Sequence, residues 1–498
     1  MRQLRTRFFL LLGLIFAWNA WGALSAGVAK VDITNRDAGP VNDPLYAKAL
    51  VIGDGATRLA IVTVDAVALG EIGYIGNDFL PTVRAAIEKE VGIAPSNLLV
   101  NASHCHGVVC KDVAERTVQA VKEAAAKMVP VVVGAGSGTE DRISENRRYL
   151  LKDGRQADSR RAYPLPADDA YAAVGPIDPE IGVLRIDKKD GGTLAVVYNF
   201  AVHPIEGVPS GGNTADLVGF ASKAIEENLS EGTIALFLQG CAGDINPAKY
   251  KDVDHPHDAE PLGNLLGLST LRAVRSMACK DDARLTVLNE TIALPRANTQ
   301  ERIAKLEAEQ QRLLKSLKGT PINLKTFVPL IVKYSLSDDF PSFYGHRYMH
   351  EEVMGRDDLK KLDAENRANI QNYIDNIHTM EELTRLQENI RLLRMHQEDN
   401  QAAGTPNLDV ELLGIRIGEF VLITFPGELT VQIGLDLKKA SPYEHTFVAG
   451  YTNGYIYYAP TTEQLLNTGC AQEDCDTILA PEWRPIFDRA AGDLLKRL

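Results

Sequence analysis

The sequence predicts a mixed α/β domain with central β-sheets inside, helices outside and a charged helical insertion. From residue 29 to about 295, short apolar runs alternate with amphipathic segments, the pattern of sheet and helix sharing one core. Between about 297 and 400 the composition shifts to charged, strong helix formers, as in "QERIAKLEAEQQRLLKSLKG" and "ENRANIQNYIDNIHTMEELTRLQENIRLLRMHQED", which read as helices inserted into the domain or lying across it. After residue 408 the strand pattern resumes in "VELLGIRIGEFVLITFPGE", so residues 23–296 and 401–498 are expected to close one core around the insertion 297–400.

Individual elements follow from the same periodicities. "AKALVIGDGATRLAIVTVDAVAL" reads as two strands joined at "GDG", a hairpin signal. "DFLPTVRAAIEKEVG" and "DVAERTVQAVKEAAAKM" have helical spacing and flank a strand at 97–102. "IGVLRID", "TLAVVYNFAVH" and "TIALFLQG" supply further strands. The insertion, read at its plainest, is a solvated helical hairpin without chemistry.

The N-terminus sets the compartment. Arg2, Arg5 and Arg7 precede the apolar run "FFLLLGLIFAW", with Ala20 and Gly22 as small residues before a cleavage point, which together read as a signal peptide over residues 1–22. The expectation is a periplasmic or secreted protein with no transmembrane segment in the mature chain. Removing three arginines takes the formal charge from −13 to −16. Such an acidic chain repels phosphate backbones, so nucleic acid is excluded as a partner. Six cysteines in an exported protein can form three disulfides, with Cys470 and Cys475 of "CAQEDC" the best local pair.

"NASHCHGVVC", residues 101–110, holds two of the ten histidines and two of the six cysteines. If the strand before it stays extended, His104 and His106 share one face and Cys105 takes the other. Two imidazoles then converge as metal ligands. A catalytic zinc takes three protein ligands and keeps a position for water, so other strand ends matter. His203 closes "TLAVVYNFAVHP", where Pro204 stops a central strand, and Glu428 follows an apolar run at a Pro-Gly break. All three places share a buried strand, an abrupt turn and a metal-capable side chain.

Other clusters are weaker. "DVDHPHDAE", Asp252 to Asp258, offers His255 and His257 for a second ion but lies in a polar loop. "HRYMHEE" spaces His346 and His350 four apart, with the glutamates after the second histidine rather than between them, so the metalloprotease arrangement is absent. No Gly-x-Ser-x-Gly elbow, phosphate loop or dinucleotide fingerprint is present. In "QGCAGDINPA", Asp244 and Asn246 can orient a ligand histidine or shape a pocket floor. "YTNGYIYYAP" crowds four tyrosines around Asn-Gly, for packing or for one phenol at a metal and another at a developing oxyanion.

Taken in order, "NASHCHG", "NFAVHP", "FLQGCAGDINP", "FPGELT" and "NGYIYYAPTTEQ" resemble the catalytic domain of the neutral/alkaline ceramidases, which are zinc-dependent amidases. The resemblance covers most of residues 27–295 and 408–465. It implies that His104, His203, Glu428 and Tyr455 bind one zinc ion, and that His106 stands near the attacking water. It also implies that Arg147 of "ENRRY" binds the scissile carbonyl oxygen or the product carboxylate, with Tyr458 a second pocket tyrosine. The chain departs from the family where "GVVC" replaces a Ser-Gly-Pro run. At "GGNTADLVGF", Asp216 is an approximate match to a Gly-Asp-Asn segment. The chain also ends at Leu498, too soon for the family's C-terminal immunoglobulin-like domain.

The implied activity is zinc-dependent hydrolysis of an amide in an N-acyl lipid or similar small molecule, with zinc-activated water attacking the carbonyl. Two readings stand beside it. One keeps the metal but cleaves an ester or a carbohydrate derivative; the other is a binding protein with no catalysis. An apolar roof made by "QERIAKLEAEQQ" would favour lipid, and an open polar groove would favour sugar.

Overall fold

The computed structural model describes residues 23–498 except 161, 162, 255, 282, 283, 343 and 470. The signal-peptide reading of residues 1–22 therefore lies outside the described residues, as do Cys470 of the Cys470–Cys475 pair and His255. Cys105, Cys110, Cys241 and Cys279 are thiols, so the three-disulfide expectation does not hold. A long chain with this much buried apolar surface needs no such crosslinks.

Two sheets stack face to face. The larger has eight strands in the order Ile234–Gln239, Thr193–Phe200, Glu180–Lys188, Val129–Thr139, Ser25–Asp32, Tyr46–Gly53, Arg58–Val64 and Leu98–Ala102. The smaller runs Leu285–Pro295, Asn407–Ile417, Phe420–Thr424 and Thr446–Ala449. Between them lies a dry core in which Leu50, Leu184 and Leu236 of one sheet meet Leu413, Phe420 and Phe447 of the other. The fit is close enough that a Cβ on Gly182 would fall 2.3 Å from the Phe447 ring.

Helices cover both outer faces, completing four layers. Phe79–Val91 and Val113–Ala126 cover one half of the large sheet. Asp216–Glu227 and Ala259–Ser276 cover the other half. Val431–Ala440 and Trp483–Arg497 cover the small sheet. These assignments match the amphipathic periodicity, because each helix has one apolar stripe to bury.

The two strands that bracket the insertion pair antiparallel along their whole length, from Leu285 opposite Ile417 to Pro295 opposite Asn407. The insertion leaves and re-enters the body through adjacent strands. Among the described residues it holds four helices, Gln300–Ser316, Leu324–Leu336, His346–Val353 and the 45-residue Asp358–Ala402. The long helix is fixed to the body by buried polar contacts. Arg385 Nη1 donates to Asp158 Oδ1 at 2.7 Å, and His396 Nε2 stands 2.7 Å from Asp476 Oδ1. The solvated-hairpin reading therefore fails: Arg385 and His396 are buried.

Candidate active site

Three parallel strand pairs supply the site at their carboxyl ends, where open α/β sheets place ligand crevices. Leu98–Ala102 runs parallel to Arg58–Val64, Thr193–Phe200 to Ile234–Gln239, and Phe420–Thr424 to Thr446–Ala449. His104, His203 and Glu428 follow these ends. All three are buried, and their ligand atoms lie within 4.8 Å of one another. Among the described residues this is the one group of three or more histidine, cysteine or acidic side chains drawn so close.

His104 does not continue the strand, contrary to the extended reading of 101–106. The strand stops at Ala102, and His104 takes φ 68°. Its amide donates to Ala66 O, and that of Ser103 to Val64 O, both at 2.9 Å, which turns the chain sharply. A non-glycine residue held in this region is strained by its surroundings. The twist sends Cys105 into the core and leaves His106 exposed at the pocket mouth. The His104 and His106 rings stand 5.7 Å apart, edge to face.

Backbone carbonyls fix both triad histidines. His104 Nδ1 lies 2.6 Å from Val67 O, and His203 Nδ1 lies 3.0 Å from Ile245 O. A carbonyl only accepts, so each Nδ1 carries the proton and each Nε2 presents a bare lone pair. Those lone pairs face Glu428, at 3.7 Å from His104 and 3.2 Å from His203. Burial lowers the His104 imidazole to about 4, with the nearby His203 adding to the shift. Burial and then Arg147 lower that of His203. Burial alone would raise the Glu428 carboxyl, but His104, His203 and the Tyr455 hydroxyl hold it far below the usual carboxylate range.

At neutral pH the cluster is thus two neutral imidazoles and an anion. His203 Nε2 is buried with no hydrogen-bond donor facing it. These acceptors could hold a metal ion, and a His-His-Glu donor set is compatible with zinc.

Around this cluster the structure distributes the remaining candidates. Tyr455 donates to Glu428 Oε1 at 2.5 Å, and Tyr451 donates to Oε2 at 3.0 Å. Tyr451, which the sequence did not single out from its tyrosine-rich run, also packs its ring 4.3 Å from that of His104. Burial, reinforced by Glu428, pushes both phenols upward, so they are neutral donors here. Arg147 is buried and donates to Glu473 Oε1 and Gly243 O, each at 2.7 Å, and to Tyr458 Oη at 3.0 Å. Tyr458 accepts that bond and keeps its own proton for another partner.

Close packing at Gly243 lets these pieces meet: a Cβ there would lie 2.6 Å from Glu428 O. Asp244 braces the floor by accepting from Val431 N at 2.7 Å, while its carbonyl accepts from Arg147 N at 2.9 Å. Asn246 offers Oδ1 to Arg147 at 3.4 Å, which turns its amide nitrogen the other way. That nitrogen is buried without a partner, and the residue lines the same pocket as the triad.

A pocket of about 450 Å³ opens over the cluster. Val67, Ile72, Leu392 and Met395 give it apolar wall; Arg147, Ser159, Arg160, Asn246 and Gln472 give it polar wall. The roof is the long helix Asp358–Ala402, through Arg391, Leu392 and Met395. "QERIAKLEAEQQ" does not form it. That helix stacks outside, with Ile303 and Leu306 against Leu392 and Leu393. His346 and His350 are not among the pocket residues, and His257 is engaged 3.1 Å from Glu206 Oε1.

Comparison with known proteins places the fold. No family model and no curated protein matches the sequence. Among solved structures, the chain is similar to neutral ceramidase from Pseudomonas aeruginosa, with TM-score 0.59 and 17% identity over 96% of this chain and 75% of that one. It is equally similar to a ceramidase complexed with C2, with TM-score 0.59 and 16% identity over 96% and 76% of the two chains. The chain therefore has a ceramidase-like mixed α/β fold.

Proposed function

We propose that this protein is an exported zinc-dependent hydrolase that cleaves the amide bond of an N-acyl lipid or a similar compound. The observation that carries the reading is the facing of His104 Nε2 and His203 Nε2 toward an ionised Glu428, a donor set that His104, His203 and Glu428, with Tyr455 beside them, would use to hold zinc. Zinc there supplies Lewis-acid chemistry: it polarises a carbonyl and lowers the pKa of water.

The chain's own groups supply the rest. Arg147 and the hydroxyl of Tyr458, polarised by that guanidinium, face the substrate carbonyl oxygen and stabilise the charge it gains. Asn246 Nδ2 gives a further donor for a substrate oxygen. His106, at the mouth beside His104, moves a proton from the attacking water to the departing nitrogen. Water adds its oxygen to the acyl carbon and the C–N bond breaks, giving a carboxylic acid and an amine, which end as carboxylate and ammonium once the acid proton passes to the amine. Leu392 and Met395 in the roof suit an acyl chain, and both structural neighbours are ceramidases by their names.

A second reading keeps the site and changes the bond to an ester or a carbohydrate derivative; Ser159, Arg160 and Gln472 in the wall favour it. Hydrolysis of a fluorescent N-acyl sphingosine, with Glu428→Gln as control, tests the choice. Turnover lost in the control supports the amidase. A zinc-loaded wild type that hydrolyses only ester or sugar probes overturns it.

A further inference from the structure

Tyr451 touches two members of the metal cluster, yet it does not line the pocket. It follows the small-sheet strand Thr446–Ala449, and its neighbours stitch that sheet to the strand that leads to His104. Asn101 and Thr452 form an antiparallel bridge. Asn101 Nδ2 donates to Gly450 O at 2.7 Å and to Thr452 Oγ1 at 2.9 Å, and Val100 N donates to Asn453 Oδ1 at 2.8 Å. Within this seam the Tyr451 carbonyl accepts from Ala102 N at 3.1 Å, two residues before His104. Its amide donates to Gly427 O at 3.2 Å, one residue before Glu428. The side chain repeats the link, with its hydroxyl 3.0 Å from Glu428 Oε2 and its ring 4.3 Å from that of His104. Tyr451 takes φ 52° to make these contacts, a strained conformation for a bulky residue.

We propose that Tyr451 is a positioning residue of the metal centre, which sets Glu428 and His104 relative to each other before a metal arrives. The inference rests on the zinc-hydrolase reading above. Tyr455 and Tyr458 line the pocket, whereas Tyr451 is fully buried behind it and does not meet substrate. A phenylalanine would fill the space of its ring. Among the described residues its hydroxyl is bonded to Glu428 alone. Tyr455 holds Oε1 at 2.5 Å, but with that anchor only, the carboxylate is free to turn about its Cγ–Cδ bond, a torsion with a broad, two-fold profile. The second anchor on Oε2 stops that rotation, and the same ring packs against the His104 imidazole. Two ligands carried by different sheets are thereby oriented by one side chain. Groups that orient a ligand in this way typically contribute about 10–100-fold to metal affinity.

Zinc affinity of the full chain, measured by competition with a chromophoric chelator, tests this on the wild type, Tyr451→Phe and Thr452→Val. The last variant breaks a bond of the seam, that between Thr452 Oγ1 and Asn101, but no bond to a ligand. Tyr451→Phe keeps the ring and is expected to melt cooperatively without metal. Its zinc dissociation constant is expected to rise about 10–100-fold, and the visible spectrum of its cobalt-loaded form to differ from that of the wild type. Thr452→Val is expected to melt lower but to bind zinc as the wild type does. Wild-type affinity and an unchanged cobalt spectrum in Tyr451→Phe, or an equal loss of affinity in both variants, would overturn the proposal and leave the hydrolase reading standing. A wild type that takes up no zinc would overturn that reading and the proposal with it.

Discussion

His203 Nε2 stands 3.2 Å from Glu428 Oε2 with no proton to share, because the imidazole proton is on Nδ1 and faces the Ile245 carbonyl at 3.0 Å. An amide in place of the carboxylate would supply the missing donor. The same amide nitrogen would face the Tyr451 hydroxyl, which donates to Oε2 at 3.0 Å, so one bond is gained and one lost. Metal-free Glu428→Gln is therefore expected to melt close to the metal-free wild type, and added zinc is expected to raise the melting temperature of the wild type alone. Equal zinc shifts in the two proteins would contradict the ligand role.

Arg147 ties three elements to the site, and Glu473 opposite it is fully buried. Arg147→Met leaves that carboxylate with Arg148 as its remaining guanidinium partner, at 3.1 Å, and is expected to cost about 3–5 kcal/mol in urea unfolding. Arg147→Lys should recover part of the stability but little turnover, since one ammonium cannot replace a fork reaching Glu473, Gly243 and Tyr458 together. Full activity in the lysine variant would remove Arg147 from the proposed mechanism.

Asp216 gives a pH signature away from the metal cluster. Burial raises its pKa from 3.8 to about 7, against the opposing hydrogen bonds from Leu217 N and Gly207 N. The folded state thus holds the proton more tightly than the unfolded chain. Its contribution to stability is present at low pH and is lost as pH rises from roughly 4 to 7, by up to about 1.4 kcal/mol per unit. Asp216→Asn does not titrate, so its stability deficit relative to wild type is expected to shrink over that window in paired urea melts. Parallel curves would contradict the shift.

Met395 and Leu392 hang from the roof into the pocket. Met395→Lys is expected to raise KM several-fold more for long-chain than for short-chain N-acyl substrates, because each buried methylene is worth about 0.8 kcal/mol. An equal change for both chain lengths would place the acyl chain elsewhere.

The layered body was legible because periodicity reports burial: the strands at 98–102 and 193–200 and the helices at 79–91 and 113–126 stand close to where alternation and helical spacing put them. The search for metal-capable residues just past buried strand ends also picked out His104, His203 and Glu428, which the fold brings within 4.8 Å of one another. The turn at His104 escaped, since φ 68° is imposed by carbonyls of Val64 and Ala66, far away in sequence. Tyr451 escaped because its contact with His104 depends on ring packing across the two sheets. Which insertion helix lies over the pocket was left open for a related reason: both charged helices have amphipathic faces, and only tertiary packing decides which one lies against the body.

The most direct test is elemental analysis of purified wild type beside Glu428→Gln. About one zinc per chain in the wild type, lost in the variant while its circular dichroism stays native, is the predicted result. No metal in either protein, or the same content in both, would contradict the assignment of this buried His-His-Glu cluster as a metal centre.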